Sequence, residues 1–492
     1  MSIIKVQKMN EVYLRVMSDP ATESELYDYF TFDYPNARWT PAYKAKLWDG
    51  RYHLFDAIRK KLYTGLFDLL VEFAKKYQHT VEVDFPIEET DFSLEQTREF
   101  CNLLNIHSKS NPIDFREYQL DAIHKAILKK RITLVSPVGS GKSAIIYALC
   151  RYYLEKGKKI VIIVPSTSLV QQMYNDFADY SSNIEWSVKD NMQMLYSGLS
   201  KEVENPILVT TFQSLHRTDK KYLNQFDVAI VDECHQSKSK SLTGILEKME
   251  NCQYRIGTTG SLDNNKIHSL IITGVLGTIY KVITTNELIK QSSLSDLKIK
   301  SLLLKYPIEV KKECNKLEYQ KEIDFLITND KRNEFICNLA LNTTGVTLVL
   351  FLHVEKHGKV LYDMIKEKSN GRTVHYIHGG VDVDERESVR KELTESTDSI
   401  LCASFGTLST GINIPSISNI IFASPSKSRI RNLQSIGRGL RLNKNKSHCL
   451  LFDLTDDLSY KGWKNYSLKH GAERFKLYCE EKFDVIVKEI EL

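Results

Sequence analysis

The apolar run Ile132–Val135 leads directly into Ser136-Pro137-Val138-Gly139-Ser140-Gly141-Lys142-Ser143, and the helical pattern Ala144–Cys150 follows at once. A strand, a glycine-rich turn and a helix in that order commit this part of the chain to a strand that is crossed by its own helix. Such crossovers build parallel sheets covered on both faces. The same grammar continues on either side. Ile132–Ser136, Ile160–Val164, Ile207–Thr211 and Val228–Val231 are β-branched or apolar runs, and Tyr118, Ala122, Ala126 and Ile127 set one apolar stripe on an intervening helix. Thr347–Leu352, Thr373–Ile377, Ile400–Ala403, Asn419–Ala423 and Cys449–Leu454 repeat the pattern. The expectation is an α/β chain with two consecutive parallel-sheet domains.

Breaks in composition divide the 492 residues. Ser108-Lys109-Ser110-Asn111-Pro112 reads as a linker, Asn286 to Asp296 as a second weakly structured zone, and a charged helical tail begins near Ser467. The expected division is a small α+β domain over 1–107, sheet domains over 113–283 and 284–454, and a helical extension over 455–492. At 42% hydrophobic and 26% charged residues, the chain has enough apolar surface for full cores, which excludes a wholly disordered or fibrous protein. Its net charge of +5 is small for this length, so any nucleic-acid surface has to come from local clustering.

The loop carries its own chemistry. Gly139 and Gly141 let backbone N–H groups, with that of Ser140, converge on phosphate oxygens at a helix N-terminus. Lys142 adds positive charge, and the Ser143 hydroxyl can ligate Mg²⁺. Val228-Ala229-Ile230-Val231-Asp232-Glu233-Cys234-His235 follows, with Asp232 90 positions after Lys142. An apolar strand that ends in two acids puts carboxylates at the C-terminal edge of a parallel sheet, where ligands bind. Asp232 can hold Mg²⁺ and Glu233 can orient or deprotonate an attacking water. ATP with Mg²⁺ is the implied ligand.

These two motifs together resemble the DExH helicases of superfamily 2, and further motifs stand in that family's order. Phe115-Arg116-Glu117-Tyr118-Gln119 is similar to the adenine-contacting motif, giving Arg116 and Gln119 to the nucleotide. Val164-Pro165-Ser166-Thr167-Ser168-Leu169-Val170-Gln171-Gln172 and Val209-Thr210-Thr211-Phe212-Gln213-Ser214-Leu215 resemble strand-contacting motifs of the first motor lobe. Thr258-Thr259-Gly260-Ser261-Leu262 stands where the family couples its two activities, with His235, Thr259 and Ser261 as the coupling residues. Ser404–Pro415, containing Thr410-Gly411-Ile412-Asn413, resembles motif V, and Gly411 and Asn413 are placed at the nucleotide by it. Gln434-Ser435-Ile436-Gly437-Arg438-Gly439-Leu440-Arg441 resembles motif VI. The resemblance covers roughly residues 113 to 454. It implies two tandem RecA-like lobes and a nucleic-acid-stimulated ATPase.

Narrower still, the segment Phe32–Asp56, with Trp48-Asp49-Gly50-Arg51, and the tail from Leu468-Lys469-His470-Gly471 to Phe483 resemble the phage recombination helicases of that superfamily. The implied activity is ATP-driven remodelling of branched DNA, including displacement and RNA-containing loops, in replication, recombination and repair. The implied setting is the cytoplasm of an infected host cell. Branched, duplex and single-stranded DNA, an RNA–DNA hybrid and phage recombination proteins are the implied partners.

A transferring γ-phosphoryl group spreads charge over its equatorial oxygens, which a planar guanidinium can meet bidentately. Arg438 and Arg441 are three apart, so on a helix they share a face, preceded by Gln434. If that face lines the cleft between lobes, closure brings arginine to phosphate and ties nucleotide state to lobe position. Hydroxyls of Thr167, Thr211, Thr407 and Thr410 suit phosphate contacts that carry no sequence information.

The front domain offers a second surface. Asp49-Gly50 signals a two-residue hairpin turn; pairing Trp48 with Arg51 would put Lys44, Lys46, Trp48, Arg51, His53 and Phe55 on one face. Tyr43, Ala45, Leu47, Tyr52 and Leu54 would form the other, core-facing side. From Arg38 to Lys61 there are seven Lys/Arg against two Asp/Glu. Cations interleaved with aromatics attract phosphates and stack bases, so Lys44, Lys46, Trp48 and Arg51 are the expected nucleic-acid contacts.

The rest is mainly exclusion. Nine scattered cysteines without a Cys-x-x-Cys pair argue against a disulfide framework or a zinc site and for a reducing compartment. His53, His353 and His357 lack metal-type partners, and His378 reads as a loop residue. No membrane span, signal core or coiled-coil heptad is expected, and a monomer suffices for the motor. An RNA helicase, the motor of a restriction complex, or a strand-annealing scaffold clamped by ATP are the alternatives.

Overall fold

A computed structural model describes residues 2–35, 37–86, 91–108, 111–196, 202–235, 240–262, 265–409, 414–424, 428–442, 446 and 448–492. The chain divides into two compact units, residues 1–136 with 141–282 and residues 283–492 with the loop tip 137–140. No helix among the described residues is long and apolar enough to cross a membrane.

The first unit contains a seven-stranded sheet in the order Met192–Leu195, Ile207–Thr211, Ile160–Val164, Val228–Asp232, Tyr254–Thr259, Arg131–Val135, Thr278–Lys281. All its pairings are parallel. Ile160–Val164 and Ile207–Thr211 are buried at every position, as strands covered on both faces must be. Tyr254–Thr259 was not among the expected strands, because Arg255 and Gly257 break its apolar pattern. Arg255 is fully buried there: its guanidinium donates to the carbonyls of Leu246, Met249, Cys252 and Val275. A buried charge is tolerable only when its donors are used in this way.

The front of this unit is a five-stranded sheet in the order Phe55–Asp56, Lys61–Tyr63, Tyr13–Met17, Ile3–Lys8, Thr80–Val83. Alternate residues of Ile3–Lys8 and Tyr13–Met17 point inward, so Ile4, Val6, Leu14 and Val16 meet Leu26, Phe30, Leu70 and Phe73 from two flanking helices. This front domain sits tightly on the helix Lys266–Leu276. A Cβ on Gly65 would lie 2.0 Å from the Thr273 carbonyl oxygen, and one on Gly274 would lie 3.0 Å from the Tyr63 ring. Tyr63 Oη donates to Glu247 at 2.5 Å, and Arg131 Nη2 reaches Glu11 at 2.8 Å.

The hairpin expected around Asp49-Gly50 is not formed. Thr40 accepts the Tyr43 N–H and Pro41 opens a short helix, Pro41–Lys44, which takes Lys44 out of any strand. Lys46 then adopts φ +56°, and Gly50 follows at +81°. Asp49 and Gly50 do make a turn, with Asp49 Oδ1 accepting the Arg51 N–H at 3.0 Å, but it leads from the helix into the strand Arg51–His53. That strand pairs antiparallel with Thr31–Asp33 instead. Trp48 and Arg51 are consequently engaged within the domain. The indole packs against Tyr34 and Tyr52 and donates to the Arg51 carbonyl at 2.7 Å, and the Arg51 guanidinium pairs with Asp33 at 3.0 Å. Phe55 enters the core, whereas Leu47, expected to pack, is 83% exposed.

The second unit holds another seven-stranded parallel sheet, ordered Thr373–Ile377, Ser399–Ser404, Val346–Phe351, Ile417–Phe422, His448–Asp457, Asp296–Lys305, Asp484–Glu491. The zone 286–296 is more ordered than its composition implies. Thr284 and Glu287 form a capping box that starts the helix Thr285–Lys290, and Asp296 already opens a strand. Ser108 and Asn111 of the expected linker pair in a short antiparallel ladder.

The helix expected in the tail spans Tyr466–Glu480, and a strand follows it that the sequence reading lacks. The strand was hidden because it lies at the sheet edge and is charged and exposed along much of its length. Glu322 accepts the N–H groups of Tyr466 and Ser467, satisfying the helix start. Farther along, Arg474 grips Asp453 through Nε at 2.8 Å and Nη2 at 2.7 Å, with both side chains buried. Tyr478 Oη donates to the same carboxylate at 3.0 Å. Arg474→Ala leaves Asp453 buried without its ion pair, so we expect a loss of about 3–5 kcal/mol in urea unfolding. An unchanged midpoint would mean the tail is not integral to this sheet.

Candidate functional site

The phosphate loop joins the strand Arg131–Val135 to the helix Lys142–Glu155. Gly139 and Gly141 have φ of +84° and +79°, the left-handed region that a Cβ penalises, and these two reversals bring the chain back onto the helix start. Gly141 is doubly required, since a Cβ there would lie 2.3 Å from the Gln119 side-chain nitrogen. Gln119 is buried and its Oε1 accepts the Arg116 N–H at 2.8 Å, so the expected adenine motif borders the loop. Arg116 itself is exposed, with Nη1 donating to Tyr118 Oη at 3.0 Å. Within the loop, Ser140 Oγ donates to the Pro137 carbonyl at 2.7 Å and Lys142 Nζ to the Ser136 carbonyl at 3.0 Å.

Asp232 ends the strand Val228–Asp232, two strands from the loop's own. Thr258 Oγ1 donates to its Oδ1 at 2.7 Å. Glu233 follows with φ +50°, a conformation that a residue with a Cβ holds only under strain. Its carboxylate is fixed from one side: His235 Nδ1 lies 3.2 Å and Thr259 Oγ1 3.4 Å from Oε2. The same His235 nitrogen is 3.0 Å from Thr259 Oγ1, which donates to the Ser261 carbonyl at 3.0 Å. The three expected coupling residues are thus brought together at Glu233. Ser261 joins through its carbonyl rather than its hydroxyl.

The two neighbouring carboxyls respond differently to this setting. Burial and the adjacent Glu233 charge push Asp232 up, against the pull of Lys142. Burial acts on Glu233 in the same sense, but the His235 hydrogen bond and the Lys142 ammonium outweigh it and hold Glu233 below the usual range. A carboxylate destabilised by burial and a like charge is relieved by a cation. Asp232 and the Ser143 hydroxyl are oxygen donors of the kind Mg²⁺ takes, and that ion is commonly held by one or two side chains plus substrate phosphates. The residues present fit the ion.

Two contacts here join residues that no local pattern pairs. Thr258 on Asp232 is one; the other is Tyr180, whose hydroxyl lies 2.8 Å from Ser143 Oγ although the residues are 37 positions apart.

In the second unit, Gln434 and Arg438 lie one turn apart on the helix Arg429–Gly439. Arg441 lies beyond it, which corrects the expectation that Arg438 and Arg441 share a helix face. Gly439, the last residue of the helix, packs so closely on the neighbouring strand that a Cβ there would lie 2.5 Å from Cys449 Sγ. Ser295 then takes the next turn, its N–H bonding the Leu440 carbonyl at 2.7 Å and its hydroxyl the Arg441 carbonyl at 3.2 Å. Lys446, which the sequence reading passed over, donates to the carbonyls of Pro415, Ile417 and Gly439, and burial pushes its ammonium down to about 8. It ties the end of the motif VI helix to the chain leaving motif V. Thr410, Gly411 and Asn413 lie outside the described residues.

The threonines differ from one another. Thr167 is exposed at the start of the helix Thr167–Tyr180. Thr211 is buried and caps the helix Phe212–Leu215, accepting the Ser214 N–H at 3.3 Å. Thr407 is buried with its hydroxyl 2.7 Å from that of Ser404. Lys44 and Lys46 are exposed; Trp48 and Arg51 are committed to the contacts described above.

Comparison with known proteins follows this geometry. Residues 112–264 match the family model described as "Type III restriction enzyme, res subunit", residues 331–443 "Helicase conserved C-terminal domain", and residues 3–84 "DNA helicase UvsW, N-terminal". The chain is 32% identical to the ATP-dependent DNA helicase uvsW of Enterobacteria phage T4, over 99% of this chain and all of that protein. The crystal structure of T4 UvsW superposes with a TM-score of 0.53 at 32% identity, covering 99% of both chains. The DNA 3'-5' translocase XPB2 of Sulfurisphaera tokodaii is 23% identical over 72% of this chain and 84% of its own length.

Glu233, strained and held by His235 and Thr259, gives a direct expectation. Glu233→Gln keeps the shape of the side chain and removes its charge. Steady-state ATP turnover should fall by about 10²-fold or more, while the affinity for a nucleotide analogue stays within about twofold. Turnover at the wild-type rate would show that Glu233 does not act on the attacking water.

Proposed function

The chain belongs to the UvsW family of superfamily 2 helicases, ATP-hydrolysing enzymes that act on DNA, and from that premise we propose that it remodels branched DNA: forks, four-way junctions, displacement loops and RNA-containing loops. The observation that carries the reading is the grouping of Lys142, Asp232, Glu233, His235 and Thr259 at one edge of the first parallel sheet, in a chain whose front domain matches the UvsW N-terminal model.

In this reading the N–H groups of Gly139, Ser140 and Gly141 cradle the phosphates, Lys142 neutralises them, and Arg116 and Gln119 contact the base. Ser143 and Asp232 hold Mg²⁺, which neutralises phosphate charge when bound. Glu233 orients the attacking water, its rotamer and charge kept by His235 and Thr259. From the second unit Gln434, Arg438 and Arg441 answer the charge that develops on the transferring group, an effect of about 10³–10⁵ in rate for an arginine finger. Gly411 and Asn413 complete the nucleotide contacts. His235, Thr259 and Ser261 pass the state of the nucleotide to the strand-contacting elements at Thr167, Thr211, Thr407 and Thr410. Thr211 and Thr407 do so by shaping their loops, since their hydroxyls are already engaged.

The front domain supplies a second grip on DNA, centred on different residues from the hairpin first expected. Trp39 is 65% exposed, with the Arg38 guanidinium 5.3 Å and the Lys44 ammonium 5.9 Å from its ring centre. Lys46, two residues after Lys44, is exposed as well. An open indole flanked by cations stacks a base and attracts its phosphates. The same reading places the protein as a monomer in the cytoplasm of an infected cell, among phage recombination proteins.

Stimulated ATPase rates on forks, four-way junctions, single-stranded DNA and RNA test this function. Junctions and forks should stimulate most and RNA least. In Trp39→Ala/Lys44→Ala/Lys46→Ala the junction should lose its advantage and bind with a shallower salt dependence. Stimulation by RNA equal to that by junctions would replace the proposal with an RNA helicase.

A further inference from the structure

We propose that Tyr180 is a positioning residue for the metal-holding serine of the phosphate loop. It accepts the Ser143 hydroxyl proton and so turns an oxygen lone pair toward the cation. The inference rests on the assignment of Ser143 to Mg²⁺ made above.

Ser143 has one proton and two lone pairs. When a lone pair binds a cation, the proton must point away from it, and at this half-buried position an acceptor on that side satisfies it. Tyr180 Oη lies 2.8 Å from Ser143 Oγ. A tyrosine phenol is neutral at pH 7. A neutral phenol accepts a hydrogen bond without bringing a second negative charge beside the phosphates.

The phenol is also held in place. Ser143 and Tyr147 are one turn apart on the same helix face. Tyr180 bonds the first and packs its ring edge-on against the second, with centroids 5.5 Å apart. Tyr147 is fixed in turn by Phe177 and Trp186 at 5.1 and 5.8 Å, and by Arg151 Nη1, which donates to its hydroxyl at 2.7 Å. The Arg151 guanidinium sits 4.8 Å over Trp186. Ring positions set this firmly leave Tyr180 Oη little room to leave Ser143. The function of such a contact is that of an outer partner of a metal site: it aims the ligand.

Tyr180 is the last residue of the helix that begins at Thr167. At about 1.5 Å per residue this helix is a rod of about 20 Å, with an exposed strand-contact candidate at one end and the Ser143 partner at the other. The aim of the hydroxyl therefore follows the position of this helix.

Binding of a fluorescent ADP analogue to the full-length protein, titrated with Mg²⁺, tests the assignment without relying on turnover. Mg²⁺ should tighten binding in the wild type. Tyr180→Phe should need about tenfold more Mg²⁺ for the same tightening, with the affinity in EDTA and the thermal midpoint unchanged. Ser143→Ala should lose the tightening, and Tyr180→Phe/Ser143→Ala should lose no more than Ser143→Ala alone. A Tyr180→Phe titration that overlays the wild type, or a loss that adds to that of Ser143→Ala, overturns the proposal. So does weakened binding in EDTA, which would make Tyr180 a structural residue. A wild type indifferent to Mg²⁺ would instead overturn the assignment of Ser143 itself.

Discussion

Two carboxylates placed side by side at the end of an otherwise apolar strand, close to a lysine ammonium, are the interaction around which the first half of this protein is arranged. Val228–Val231 are wholly buried, and the chain then turns polar at Asp232 and Glu233. Leaving two like charges there costs free energy that the fold offsets with the ammonium of Lys142, the Thr258 hydroxyl and the His235–Thr259 pair. The left-handed backbone of Glu233 stores strain at the same point. Such a site suits a polyanion with its counter-cation, since the cation relieves the repulsion between the two carboxylates.

The surrounding architecture serves to keep those groups in register. The parallel sheet brings the ends of separate strands to one edge, so residues far apart in sequence become neighbours: Ser136 N–H bonds the Thr259 carbonyl, and Thr258 reaches Asp232. The front domain adds rigidity to this unit through contacts that admit no added atom, at Gly65 and Gly274. In the second unit, Lys446 ties the end of the motif VI helix to the exit of motif V. The buried Arg474–Asp453 pair joins the tail to the sheet in a comparable way. Within each half, buried polar contacts fasten the motif-bearing elements to elements that only pack. Such fastening is what allows a local change of charge to move a whole element.

How much of this the sequence carried depends on how local the cause was. The loop at 136–143 and the strand ending in Asp232-Glu233 were legible because glycine conformation, apolar runs and acid placement are local. The order of the two sheets followed from the same runs. Tyr254–Thr259 and Asp484–Glu491 were missed because a buried arginine and an edge rich in charge both contradict a simple apolar pattern. The front hairpin failed where two local signals competed. Asp49-Gly50 did turn, but Thr40-Pro41 had already started a helix, and the strand after the turn found its partner at Thr31–Asp33. Arg441 lies off the expected helix face because the helix stops at Gly439, after which the Leu440 and Arg441 carbonyls bond Ser295, a residue far away in sequence. The Tyr180–Ser143 contact has no local cause; it exists only once two helices pack.

The central claim is that ATP breakdown at this edge drives rearrangement of DNA strands. A labelled four-way junction with movable arms, followed over time with ATP, with a non-hydrolysable analogue and with no nucleotide, tests it most directly. Conversion to separated duplex arms is expected only with ATP, and none by Lys142→Ala. Conversion at the same rate with the analogue, or undiminished in Lys142→Ala, would contradict it.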